Sequence, residues 1–324
     1  MKAKNLLLLI VTKTRRHKDL KFLYSFFAPS SLCGRSVLLI ALAAMPRFIH
    51  AQDGRLIPSY DEQSEYIRDH PEVDIDVAPY VNTWKNSTVH SGHGGFAEQD
   101  IFTRGDPLAP LSKGAVLKYI RTYCHGFLYG NRQTEPTVHD REQVVFYVMS
   151  GFGRVEAGGK KADISEGTGI FIPAGLEYRF FNTTGAPLEV IIIVEELPAD
   201  FKPRKDSVVR NCHDITPGYC CWAYTIYSLF SRTDGLAEPM GVAVVTVEHY
   251  GMGAPHYHVE GCEEIWLKIR GEENPLMLGK KLLRQNIGDA FLAPPNKLVP
   301  HSVINPTETE MAWLYVGNRH DMER

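Results

Sequence analysis

The chain has 324 residues, 44% of them hydrophobic and 23% charged, with a formal charge of −3, which is the make-up of a globular protein with room for two modest domains. Residues 1–51 distort that balance, holding nine Lys or Arg against one acidic residue. Without them 26 basic and 37 acidic side chains remain, a formal charge of −11 that repels polyanions and excludes nucleic acid as a partner.

The segment 1–51 reads as a leader. Arg35 precedes the apolar run Ser36 to Met45, and Ile49-His50-Ala51 follows as a small-residue cleavage site, so export to the periplasm or outside the cell is expected. The part before Arg35 is longer than such a signal needs. The alternative is an uncleaved membrane anchor, although the run falls short of the ~20 residues that a span requires. After cleavage no stable membrane insertion is expected.

Residues 52–113 are polar, rich in Gly and Pro, and read as an irregular N-terminal arm that wraps a domain or covers a neighbouring subunit, as in a homo-oligomer. His90 and His93 have near-ligand spacing there, but no acidic or third imidazole partner is expected close by, so they read as loop histidines. From residue 114 to 196 short runs rich in Val, Ile, Phe and Tyr recur between Gly, Pro and Asp turns, while long amphipathic helical patterns are scarce. The chain is therefore expected to be all-β. Val190 to Val194 is apolar throughout, a sign of a strand buried on both faces.

Residues 197–221, with Pro198, Pro203 and Pro217, read as a linker between two domains. Beyond Cys33 in the leader the cysteines are Cys124, Cys212, Cys220, Cys221 and Cys262, too few for a disulfide-stapled scaffold. The adjacent Cys220 and Cys221 read as strand residues facing opposite ways, and Cys262 as a turn position.

The second domain, 222–324, carries the chemistry. His256-Tyr257-His258 follows Gly251 and Gly253, and two imidazoles at i and i+2 of an extended segment point to one face, so both can reach one ion. Glu263 and Glu264 come next, then Ile265-Trp266-Leu267 and Gly271; further on stand Gly288 to Pro294, His301 and Asn305. Three imidazoles and one carboxylate suit a divalent transition metal with positions left for water or substrate. Which carboxylate serves depends on strand register. Glu263 would turn Ile265, Leu267 and Ile269 inward, whereas Glu264 would turn Trp266 and Lys268 inward.

An internal repeat at an offset of about 120 residues favours Glu264. Val144 to Gly151 matches Glu264 to Gly271, and Gly167 to Gly175 matches Gly288 to Asn296. In the first copy Thr137, His139, Val144 and Tyr178 stand where His256, His258, Glu264 and His301 stand in the second, while Asn182 matches Asn305. One imidazole without a carboxylate is a poor site for a catalytic ion.

These residues resemble the two cupin motifs, G-x5-H-x-H-x3,4-E-x6-G and G-x5-P-x-G-x2-H-x3-N. The match is not perfect: Glu264 lies one residue later than the pattern allows, and the segment from Pro294 to His301 is two residues longer than in the pattern, with Asn296 where Gly is usual. Extra residues in loops between strands cost little. The resemblance implies two tandem cupin barrels, of the double-stranded β-helix or jelly-roll type, with one working metal centre in the second. It also implies metal ligands His256, His258, Glu264 and His301, holding one ion of Fe, Mn, Zn, Ni or Co.

The families so resembled include dioxygenases acting on phenolic or ring substrates, and decarboxylases, lyases and isomerases acting on acids and sugars. A dioxygenase on a small organic substrate is the first expectation and a redox-neutral enzyme the second; a non-catalytic binding or storage cupin is a third, against which the retained ligand set argues. Glu263, if it faces the pocket, is a candidate acid or base. Lys268, if it shares a face with Glu264, either pairs with an acid or meets an anionic substrate, because an unpartnered buried lysine is costly.

Overall fold

The computed structural model of the protein describes residues 75–237 and 240–319. The leader, its cleavage site and the membrane-anchor alternative lie outside the described residues. Among the described residues no helix is long and apolar enough to cross a membrane.

The structure is built from antiparallel sheets arranged as two barrels. In the first barrel a large sheet runs in the order Val208–Asn211, Thr168–Ile172, Glu142–Ser150, Leu188–Glu196, Ile120–Leu128, Phe96–Arg104, His90–Gly92, and a small one holds Tyr178–Phe181, Phe152–Ala157 and Lys160–Ser165. The second barrel repeats the plan. Its large sheet contains Asp289–Leu292, Cys262–Arg270, Met311–Arg319, Met240–Val247, Tyr224–Phe230 and Gly218–Cys220 in that order, and its small sheet Lys281–Gln285, Asn274–Leu278 and His301–Val303.

Alternation along the strands decides what each face buries. In Leu188–Glu196 the side chains of Val190, Ile192 and Val194 fill the first barrel, while Ile191 and Ile193 join a core shared with the second. Val144, Phe146 and Val148 divide from Val145 and Tyr147 in the same way. An unbroken apolar run is thus the mark of a strand sandwiched between one barrel's interior and the other barrel's wall.

Two segments read from sequence as irregular carry strands. Phe96–Arg104, inside the expected arm, pairs with Ile120–Leu128 through a bulge between Asp100 and Phe102. The bulge shifts Ile101 and Phe102 out of a two-residue period, which hides the strand from pattern reading. Val81–Thr83, also from the arm, pairs with Asp289–Leu292 of the second barrel. In the expected linker, Val208–Asn211 pairs with Thr168–Ile172 and Gly218–Cys220 with Tyr224–Phe230. Edge strands of three or four residues tolerate the polar and proline-flanked sequences that argue against a central strand.

Candidate metal centre

His256 and His301, 45 residues apart in sequence, are paired through their backbones: His301 N–H donates to the His256 carbonyl at 2.9 Å and His256 N–H to the His301 carbonyl at 3.3 Å. Their rings are therefore forced together, with centroids 4.4 Å apart. The His258 ring lies 5.0 Å from His256 and 5.2 Å from His301. The chain then turns through Gly261, whose φ of +92° is left-handed and suits glycine, and enters the strand Cys262–Arg270. The extra residue of this loop falls in that turn.

Strand alternation settles the register. Glu264 points into the barrel, where Oε1 lies 3.1 Å from His301 Nε2 and Oε2 lies 3.1 Å from His258 Nε2. One ligand-type atom from each of His256, His258, Glu264 and His301 lies within 4.8 Å of the others, and all four residues are buried. The carboxylate is aimed by two further donors, Trp266 Nε1–H at 2.7 Å and Tyr315 Oη–H at 3.2 Å. His256 Nδ1 bonds the Ala254 carbonyl at 2.8 Å, the outer contact that fixes a metal-binding imidazole's tautomer and leaves the other nitrogen for an ion.

The electrostatics fit a cation. Burial, reinforced by the two neighbouring imidazoles, pushes His256 down to about 3, so it stays in the neutral form that ligates metals. Burial also lowers His301. Burial disfavours the charged forms of Glu264 and His258 alike, but their mutual attraction prevails, holding the carboxyl well below and the imidazole well above their usual ranges. His258 Nε2, although close to the carboxylate, makes no aligned hydrogen bond. A buried anion ringed by imidazoles, one of them poorly satisfied, is a donor set that accommodates a divalent transition metal.

Glu263, considered above as a candidate acid or base, is corrected by the structure. It occupies the alternate face and turns to the first barrel, where it accepts backbone N–H bonds from Lys118, Tyr119 and Ile120. Burial lifts its carboxyl to about 7 against those three donors. Lys268 does share the face of Glu264, but four residues along the strand, about 13 Å by strand rise. It is fully buried, and its Nζ meets the Glu272 carbonyl and Asn274 Oδ1, neutral oxygens rather than an acid. Lys268 is structural.

A cavity of about 240 Å3 opens onto the centre. Cys221, Tyr224, Trp266 and Tyr315 line it together with His256 and Glu264, and none of its lining residues is Lys or Arg. Tyr224 reaches in over Gly253, where a β-carbon would meet the hydroxyl at 1.9 Å, so that position accepts only glycine. Burial keeps the Tyr224 phenol well above its ordinary range, and hence protonated. Sequence reading passed over Tyr224 and Tyr315; the structure pairs Tyr315 opposite Trp266, which places both on the inward face. A second cavity of about 250 Å3 lies between the barrels, beside Tyr147, Thr246 and Arg270, and holds none of the four.

The family described as "Cupin domain" matches residues 127–194, within the first barrel. The chain is a two-barrel cupin by fold. Among solved structures this bicupin is similar to the oxalate decarboxylase of Lactobacillus farciminis in a formate complex, with 14% identity, 77% of this chain and 89% of the other covered, and a TM-score of 0.56. It is similar to the oxalate decarboxylase of Bacillus subtilis, studied for its Mn(II) centres, at 15% identity, 85% and 88% coverage and a TM-score of 0.57. It also resembles the hazelnut (Corylus avellana) vicilin, at 14% identity, 74% and 85% coverage and a TM-score of 0.55. No protein of curated function matches by sequence. At these identities the likeness speaks for the fold alone.

Proposed function

We propose that this bicupin is a metal-dependent enzyme in which His256, His258, Glu264 and His301 hold one divalent transition metal and a small organic acid binds beside it. The reaction proposed is redox-neutral: decarboxylation, or a related lyase or isomerase step. The observation that carries this reading is the charge balance of the cavity. A divalent ion with one carboxylate ligand leaves a net charge of +1 in a pocket that has no other cationic wall, so a monoanion neutralises it. Structural likeness to oxalate decarboxylases supports the same choice.

The ion, when bound, supplies a Lewis acid that polarises a carboxylate or carbonyl. The protein's own groups do the rest. Trp266 and Tyr315 donate to the Glu264 carboxylate and orient it. Ile226, Phe230, Val242 and Val245 give the cavity apolar walls that strip water from a bound acid and strengthen its electrostatic contacts. Tyr224 retains its phenolic proton, and the residue lines the same space.

A dioxygenase, the first expectation from sequence, becomes the second reading. The same apolar walls support it, because they admit dioxygen and a ring-sized substrate; a cavity of about 150 Å3 is known to hold benzene. Metal analysis of the purified full chain followed by a panel of small monocarboxylates, assayed with and without oxygen, tests the proposal. Metal-dependent loss of substrate or release of carbon dioxide under anaerobic conditions is the expected result. Turnover only with oxygen uptake would transfer the assignment to the second reading, and a metal-free protein would remove both. Export remains part of the proposal, and an intact mass starting near Gln52 for the mature chain is its expected sign.

A further inference from the structure

Cys220 and Cys221, expected to face opposite ways, do not. The Sγ atoms lie 2.8 Å apart. The reason is local: the strand Gly218–Cys220 ends in two successive left-handed residues, Cys221 at φ +49° and Trp222 at φ +73°, and this break in the two-residue alternation swings the second thiol back onto the first. Left-handed backbone at two consecutive non-glycine residues is sparsely populated and persists only where surrounding contacts fix it. Here they do so next to the metal centre, since Cys221 lines the cavity with His256 and Glu264.

We propose that Cys220 and Cys221 form a reversible thiol–disulfide centre on the rim of the cavity, with small external disulfides as the oxidant. Both thiols are half-buried, flanked by Tyr219 and Trp222 at 77% and 68% exposure, whereas Cys124, Cys212 and Cys262 are buried. One thiol loses its proton and attacks the external S–S bond, which breaks and releases one low-mass thiol. The second loses its proton and attacks the resulting mixed disulfide, releasing another low-mass thiol as the Cys220–Cys221 bond forms. Two electrons pass from the protein pair to the external disulfide, which leaves as two thiols.

The closed form is a switch rather than a staple. Neighbouring α-carbons across a trans peptide are about 3.8 Å apart, short of the roughly 4.4–6.8 Å that a relaxed disulfide spans. Ring closure between adjacent residues therefore stores strain, and strained, accessible disulfides are the readily reduced ones. The backbone carries the change to the metal centre. The Cys221 carbonyl accepts from Ala254 N–H at 3.0 Å, and the Ala254 carbonyl is the partner of His256 Nδ1. Trp222 bridges Gly253 in the same turn. Altering the outer partner of a ligating imidazole typically changes metal affinity by about 10- to 100-fold. This last link rests on the metal assignment made above.

The test uses the full chain treated with oxidised glutathione, alkylated and digested. The expected peptide carries both cysteines unlabelled, lighter by two hydrogens, and regains both labels after dithiothreitol. Cys220→Ser and Cys221→Ser should each instead trap one glutathione on the remaining thiol. Two labelled cysteines, or a lasting glutathione adduct, in the unsubstituted chain would overturn the proposal. Cobalt(II) titration of the two forms reads the link to the site: a shift of about tenfold or more supports it, and equal affinities refute it. Absence of cobalt binding in both forms would sink the metal assignment, while the peptide masses still decide the thiol chemistry.

Discussion

The two barrels share a frame and differ in what fills it. Thr137 bridges Tyr178 in the first as His256 bridges His301 in the second, and Gln133 bridges Phe181 as Met252 bridges Ile304. Asn182 donates to the carbonyls of Leu128 and Ala186 and accepts from Thr184; Asn305 donates to Val247, Glu248 and Thr309 and accepts from Thr307. Where the second barrel gathers imidazoles about Glu264, the first puts Tyr178, hydrogen-bonded to His139 at 3.0 Å, among Phe96, Phe146 and Phe180. The same backbone pairings stand with and without a ligand set. The frame is thus held by its hydrogen bonds and apolar filling, and the metal centre is an addition to it.

The most severe way to break that contrast is to remove a ligand from one side only. His258→Ala is expected to lower metal affinity at least 100-fold, measured by metal content after dialysis, with an unchanged far-ultraviolet spectrum. Tyr178→Ala, at the equivalent of His301, is expected to leave one ion per chain. Metal retained in the first variant or lost in the second would end the division of roles between the barrels.

The reverse experiment sharpens the comparison. Thr137→His, Val144→Glu and Tyr178→His together with the resident His139 recreate four donors on an equivalent frame. A second, weaker equivalent of cobalt(II) in a titration is expected, weaker because Phe146 and Phe180 crowd the space. Binding at one equivalent only would mean that backbone correspondence does not extend to side-chain geometry.

Most of this frame was legible in the sequence. The repeated glycine and proline positions placed the barrels, and aligning Glu264 with Val144 resolved a register that local pattern left open between two adjacent glutamates. What was not legible depended on backbone exceptions or distant partners. Left-handed φ values at Cys221 and Trp222 reversed the expected direction of a thiol. The bulge at Asp100 masked a nine-residue strand. His93 looked isolated because Glu98, which its Nδ1 meets at 2.8 Å, is folded back on it, and because the His139 ring 5.3 Å away is 46 residues distant. Lys268 was expected to need an opposite charge, but the turn Glu272–Asn274 supplies neutral oxygens that no spacing rule announces.

Smaller effects probe the frame itself. Asn305→Ala and Asn182→Ala each strand buried backbone groups, and each is expected to cost about 2–4 kcal/mol in denaturant unfolding. Similar losses in both barrels would support a shared frame independent of metal. A loss confined to Asn305, or one abolished by added cobalt(II), would instead tie the frame to the ion.

The smallest effect concerns Lys268, which has no charged counterpart in the first barrel, where the apolar and fully buried Val148 holds the equivalent position. Burial pushes the Lys268 ammonium from its ordinary value of 10.5 down to about 8. Between those two pH values the unfolded chain binds more protons than the folded one, so stability rises with pH across that window, while below about pH 8 the cost is fully present. The shift bounds the amplitude at about 3 kcal/mol, and the net rise is expected to be a fraction of that. Lys268→Met should flatten this rise in urea titrations run at successive pH values, and a rise that survives the substitution would place the titrating group elsewhere.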